Sequence, residues 1–70
     1  MNIQKLKGKL AECDVTISAM ADILGISYTA MHNKMHGRSQ FTQGEMRTIA
    51  ERLKLTNDEI MNIFFTDEVS

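Results

Sequence analysis

Seventy residues, 43% apolar and 24% charged with no proline, suit one small folded domain and exclude a disordered chain. A single cysteine excludes an internal disulfide, and no Cys/His spacing is typical of a zinc site. The net charge of −1 disfavours DNA, but residues 1–55 hold eight Lys or Arg against five Asp or Glu, whereas residues 56–70 hold four acids and no base. This asymmetry predicts a basic face and an acidic end.

A repeated helix-start pattern is the strongest local signal in the chain. Five times an apolar residue precedes an Asn, Ser or Thr, and a second apolar residue stands four positions after that polar one. This spacing is typical of an N-cap closed by a hydrophobic staple. In chain order the sets are Met1/Asn2/Leu6, Val15/Thr16/Met20, Ile26/Ser27/Met31, Phe41/Thr42/Met46 and Leu55/Thr56/Ile60. Thr42 with Glu45 and Thr56 with Glu59 add the spacing of a capping box.

Apolar residues with helical spacing follow each start, and no segment alternates with period two. The pattern predicts an all-α domain over residues 1–70, with helices at 3–13, 17–24, 28–36, 43–53 and 57–64 and a frayed tail at 66–70. Four methionines fall on predicted inner faces, where we expect them to fill the core: Met20, Met31, Met35 and Met46. Cys13 is expected to be a small buried hydrophobe.

The segment between the second and third helices predicts a tight turn. Gly25 supplies a left-handed residue that ends a helix, Ile26 returns to the core, and Ser27 caps the next helix. Ala21 is small where two closely joined helices must cross. Such a turn can project the outer face of the following helix into a DNA major groove.

The stretch Thr16 to Gly37 resembles the helix-turn-helix of the phage repressor and Cro superfamily. The whole chain is similar to small phage or prophage regulators of that superfamily, including Lys5-Leu6-Lys7-Gly8-Lys9 and Glu59-Ile60-Met61-Asn62-Ile63-Phe64-Phe65. The resemblance implies a compact, five-helix, lambda-repressor-like domain whose helix-turn-helix is formed by helices 2 and 3. Two departures stand out: Ile17 and Ser18 occupy a region where relatives often have a phosphate-binding Gln, and Lys34 replaces an apolar residue.

If Met31 and Met35 face inward, the outer face of the third helix is polar and suits base reading. The predicted base-reading residues are Tyr28, Thr29, His32, Asn33 and His36. Residues around this helix and at the start of the second are expected to bind phosphates. They are Thr16, Ser18, Ser27, Lys34, Arg38, Ser39, Gln40 and Thr42. Lys5 or Lys9 could add charge at the flank.

Metal binding, catalysis and dimerisation are the alternative functions for these residues. His32 and His36 have the i, i+4 spacing of a metal site, but no carboxylate or cysteine nearby in sequence completes one, so we expect no metal or cofactor. No nucleophile–base pair, phosphate loop or paired carboxylates point to an enzyme or a small-molecule substrate. Met61 with Phe64 or Phe65 forms either a core-covering end or an apolar dimer contact.

The sequence therefore favours a sequence-specific transcriptional regulator that binds a double-stranded DNA operator, with a homodimer as a further possibility. Without a signal peptide or membrane span, and with one free cysteine, a cytoplasmic location is expected. The alternative is a protein-binding module, similar to an anti-repressor, that uses the same fold to bind another regulator. The two differ in whether Lys34, Arg38 and the N-terminal lysines lie on the same side as the reading helix.

Overall fold

Five α-helices joined by short turns make up residues 1–65, the part of the chain that the computed structural model describes. They are α1 (Ile3–Glu12), α2 (Ile17–Leu24), α3 (Tyr28–Met35), α4 (Gln43–Leu53) and α5 (Asn57–Phe64). The all-α prediction and all five helices are confirmed. The only differences are at two C-termini, where Cys13 and His36 cap α1 and α3 instead of extending them. The predicted frayed tail at 66–70 lies outside the described residues.

Each helix begins where its predicted cap stands. In all five, the cap side chain accepts a hydrogen bond from the backbone N–H three residues on, as the N-cap geometry requires. The five caps are Asn2, Thr16, Ser27, Thr42 and Thr56. Both capping boxes form as well, with Glu45 and Glu59 each accepting from the N–H of its cap residue at 2.9 Å. A cap of this kind contributes about 1 kcal/mol, so local chemistry sets the helix starts.

One cluster of apolar side chains, to which every helix contributes, forms the core. Its buried members are Leu6, Leu10, Met20, Ala21, Met31, Met35, Ile49, Leu53 and Ile63. α2 packs most extensively on α3, α1 packs on α5, and α4 packs on α2. The N–H of Asn2 donates to Ile63 O at 2.7 Å, which joins the start of α1 to α5. No helix in residues 1–65 has the length and apolarity needed to cross a bilayer.

Two side chains expected in the core lie elsewhere. Cys13 is exposed because α1 ends at Glu12, and the left-handed Asp14 (φ +57°) then turns the chain away. The thiol is 3.7 Å from Leu53 O, so its weak S–H donor faces a helix end. Met46 is half-buried, because the side of α4 that carries it borders an open groove. The predictions for Met20, Met31 and Met35 are confirmed.

Candidate nucleic-acid interface

The connection between α2 and α3 is a three-residue turn that fixes the direction of α3. Gly25 ends α2 in the left-handed region, with φ +72°, as predicted. The N–H of Ile26 reaches back to Ala21 O at 3.0 Å and satisfies a terminal carbonyl of α2. Ser27 then caps α3, since its Oγ accepts from Ala30 N–H at 3.0 Å. The short turn leaves little freedom between the two helices.

The packing of α3 on the core determines which of its side chains reach solvent. Met31 and Met35 are at most 3% exposed, and because they are four residues apart they lie on the same face of the helix. The opposite face carries the five predicted base-reading residues. Of these, Tyr28, Thr29 and His36 are exposed, whereas His32 and Asn33 are half-buried.

Three rings form a ladder along the outer face of α3. The Tyr28 and His32 centroids are 6.4 Å apart with nearly parallel planes, and those of His32 and His36 are 4.2 Å apart at 42°. The pKa of His36 lies below its ordinary 6.5, because partial desolvation and then the charges of His32, Lys7 and Arg38 disfavour the imidazolium. Within residues 1–65, no group of three or more His, Cys, Asp or Glu is placed to hold a metal ion.

Asn33 and Arg38 are held together beside this ladder. A second left-handed glycine, Gly37 (φ +80°), follows the C-cap residue His36, and Arg38 N–H then donates to Asn33 O at 2.9 Å. Arg38 Nη1 also donates to Asn33 Oδ1 at 3.4 Å, a long and therefore weak hydrogen bond. The turn thus returns the guanidinium to the side of the helix that carries the amide.

The uncharged phosphate-binding candidates are all exposed and fall into two groups. Thr16 and Ser18 stand at the start of α2 and Ser27 at the start of α3, where helix dipoles and backbone N–H groups favour an anion. The second group lies between α3 and α4 and consists of Ser39, Gln40 and Thr42. The first group therefore lies at the starts of the two helices of the helix-turn-helix, and the second lies just past its end.

Lys34 is bound to α4 and points away from solvent. Its Nζ is 2.9 Å from Glu45 Oε1 and 3.1 Å from Gln40 O, and its side chain is 15% exposed. Partial desolvation raises the pKa of Glu45, but the hydrogen bonds from Thr42 N–H and Lys34 together outweigh this effect. The net result is a lowered pKa, which favours the carboxylate form. The amine is thus committed to an intramolecular ion pair that joins α3 to α4.

Comparison with known proteins agrees with this helix-turn-helix arrangement. A family model described as the BetR domain matches residues 4–68, which is nearly the whole chain. The chain belongs to the BetR domain family. This is a family of small helical domains of helix-turn-helix type, and membership supports a regulatory domain of DNA-binding character. Searches of curated proteins and of solved structures gave no significant match.

The BetR domain uses its N-terminal lysines differently from the sequence expectation. Lys9 forms ion pairs with Glu12 at 3.5 Å and, more closely, with Glu59 of α5. Lys5 is half-buried, whereas Lys7 is exposed and close enough to His36 for its charge to lower the pKa of that ring. Sequence reasoning missed Lys7 because the pairing of α1 with the end of α3 is a tertiary contact. Helical spacing places Lys7 on the same side of α1 as Ile3, but no sequence pattern indicates that this side lies beside His36.

The two aromatic residues that end the described chain face different ways. Phe64 is half-buried and packs edge-on against Phe41 with centroids 5.7 Å apart, so it covers the core. Phe65 and Met61 are each 56% exposed. Beside Phe65, α4 and α5 border an open, largely apolar groove of about 530 Å³. Its lining includes the apolar residues Met46, Ala50, Leu55, Ile60 and Phe65 and the exposed charged residues Arg47, Glu51 and Lys54.

Proposed function

We propose that this BetR domain is a sequence-specific transcriptional regulator of phage repressor and Cro type that binds double-stranded DNA with α3 in the major groove. The observation that carries the proposal is the Gly25 turn followed by a helix whose accessible face is polar. A helix held in this way can reach base edges while the preceding helix lies across the backbone.

Base contacts are assigned to the outer face of α3. Asn33 has the donor and acceptor that adenine requires, and its weak bond to Arg38 can exchange for a base contact. Tyr28 and Thr29 suit a thymine methyl group, while His32 can donate to guanine. Arg38 is then free to bind a neighbouring phosphate.

Phosphate contacts surround that face. Thr16, Ser18 and Ser27 supply hydroxyls at helix N-termini, and Arg38 supplies charge, with Ser39, Gln40 and Thr42 nearby in the connection to α4. The alternative, a protein-binding function, predicts that basic residues lie away from α3. The charges of Lys7 and Arg38 both lower the pKa of His36, which places these residues near the end of α3. We assign Lys34 to positioning α3, because Glu45 and Gln40 already occupy its amine.

We assign the contact within a homodimer, bound to inverted half-sites about one helical turn apart, to the apolar surface of α4 and α5. Met61, Phe65 and the adjoining groove offer an apolar surface that a second copy can cover. The groove lining also carries both signs of charge, in Arg47, Lys54 and Glu51, which is compatible with a self-complementary two-fold interface. Phe64 packs against Phe41 and the core and is not among the residues that line this groove.

The test is selection of bound sequences from a random duplex pool, followed by fluorescence anisotropy on the winning duplex. We expect a motif with two inverted half-sites. Asn33→Ala should relax the preference at one position in each half-site and cost about 1–3 kcal/mol of discrimination. Asn57→Ala makes the same chemical change on α5 and should leave the motif and the affinity unchanged.

Failure to retain any DNA at about 50 mM salt, where phosphate contacts are strong, would refute the regulator. Capture of a protein partner that tolerates Asn33→Ala would then support the protein-binding module. Selection of a single half-site by a protein that sediments as a monomer on DNA would retain the regulator and refute the dimer.

A further inference from the structure

Three basic side chains from separate segments share one surface at the end of α3. Lys7 comes from α1, His36 caps α3, and Arg38 follows in the next turn; all three are exposed. The ion pairs within residues 1–65 engage Lys9 and Lys34 and give Lys7 and Arg38 no carboxylate partner. This surface therefore carries positive charge that the domain itself does not neutralise.

The fold brings these segments together through two contacts. Gly37 reverses the chain, and the N–H groups of Arg38 and Ser39 return to Asn33 O at 2.9 and 3.4 Å, so the turn lies back along α3. On the other side, Met1 and Ile3 border a depression of about 280 Å³ together with Met35, His36 and Gly37. Lys7 stands one helical turn after Ile3 and therefore on the same side of α1.

Every side chain whose charged form lowers the pKa of His36 is a base. His32 faces it from its own helix at a centroid distance of 4.2 Å, Lys7 from α1 and Arg38 from the following turn, while the chain-terminal residue Met1 borders the same depression. Desolvation and then these charges lower the pKa of His36 in the free protein and so favour its neutral form. A bound anion would reverse the sign of the local potential and favour the imidazolium.

We propose that Lys7, His36 and Arg38 form a binding cluster for a phosphate of the DNA backbone, and that His36 takes up a proton when that phosphate binds. The inference rests on the proposed DNA-binding function and extends it to a residue of α1 and to pH. Proton uptake coupled to binding makes DNA affinity rise as pH falls. The protein thereby gains a cation at the interface without the repulsion that a permanent third charge would cause.

Two measurements on the selected duplex test the cluster. Anisotropy at pH 6, 7 and 8 and constant ionic strength should show affinity rising on acidification, by up to about tenfold per pH unit for each proton that the complex takes up. His36→Gln should flatten this dependence. Lys7→Gln should lower the magnitude of the salt slope by about 0.9 per protomer. Lys5→Gln removes a lysine from the other side of α1 and should change neither quantity.

These experiments distinguish failure of the proposed phosphate-binding cluster from failure of the proposed DNA-binding function. Absence of DNA binding at every pH would refute the regulator. Sequence-specific binding whose affinity is independent of pH, or whose salt slope survives Lys7→Gln, would refute the cluster alone. A pH dependence that persists in His36→Gln and disappears in His32→Gln would overturn the assignment of the proton to His36. Circular dichroism establishes that each exposed-site variant is folded.

Discussion

Replacing Lys34 by methionine distinguishes two roles for its amine, which are pairing with Glu45 to position α3 and binding a DNA phosphate. The substitution keeps the apolar stem and removes the amine that binds Glu45 at 2.9 Å and Gln40 O at 3.1 Å. Exposed ion pairs contribute about 0.2–1 kcal/mol, and this one lies at the upper end because its two side chains are only 15% and 16% exposed. We expect a loss of about 1 kcal/mol, which lowers the Tm of a domain this size by about 4–8 °C.

A double-mutant cycle assigns that loss to the ion pair. Gln in place of Glu45 can still accept from Thr42 N–H, so Glu45→Gln removes the charge and retains the capping box. Urea unfolding of both single variants and the double variant should give a coupling free energy of about 1 kcal/mol. The salt slope of DNA binding should stay unchanged in Lys34→Met and fall by about 0.9 in Arg38→Gln.

The opposite pattern would refute the reasoning. A different result would be a salt slope lowered by about 0.9 in Lys34→Met, with an unchanged Tm and a coupling free energy near zero. The Lys34 amine would then dissociate from Glu45 when DNA binds and contact a phosphate instead. The sequence-based prediction that Lys34 binds a phosphate would then be supported, and the proposal that Lys34 positions α3 would be wrong.

Two further predictions concern the scaffold. Gly25→Ala should destabilise the domain by about 1 kcal/mol or more in urea unfolding, because its φ of +72° strains any L residue although its Cβ would meet no atom within 4 Å. Gly8→Ala, equally uncrowded but inside α1, should stabilise by about 0.5–1 kcal/mol, and equal signs for the two would contradict this account. Hydrogen bonding from Lys9 and then from Thr56 N–H lowers the pKa of Glu59 from 4.5 to about 2, so its stabilising effect is complete above pH 4.5 and is lost as pH falls toward 2. Glu59→Gln should therefore be less stable at neutral pH, and its free energy of unfolding in urea should fall less between pH 4.5 and 2. If that pH dependence is the same in the variant as in the original protein, this ion pair is not the cause.

The helix starts and the turn were predictable because their chemistry is local. An N-cap such as Thr16 bonds three residues ahead, and Gly25 ends α2 through bonds to the preceding turn. Both are readable as short patterns, without knowledge of the rest of the fold. The inward face of α3 followed in the same way from the spacing of Met31 and Met35.

The sequence by itself thus determined the five helices, their caps and the polar face that α3 presents. Only the tertiary structure decided which basic residues remain available on that face: Glu59 pairs with Lys9, Glu45 holds Lys34, and Lys7 stands beside His36. Cys13 was misjudged for a related reason, since its exposure depends on where α1 stops and how Asp14 turns the chain. Charge–charge interactions act through distances in space between helices far apart in the chain, and helical periodicity carries no information about those distances.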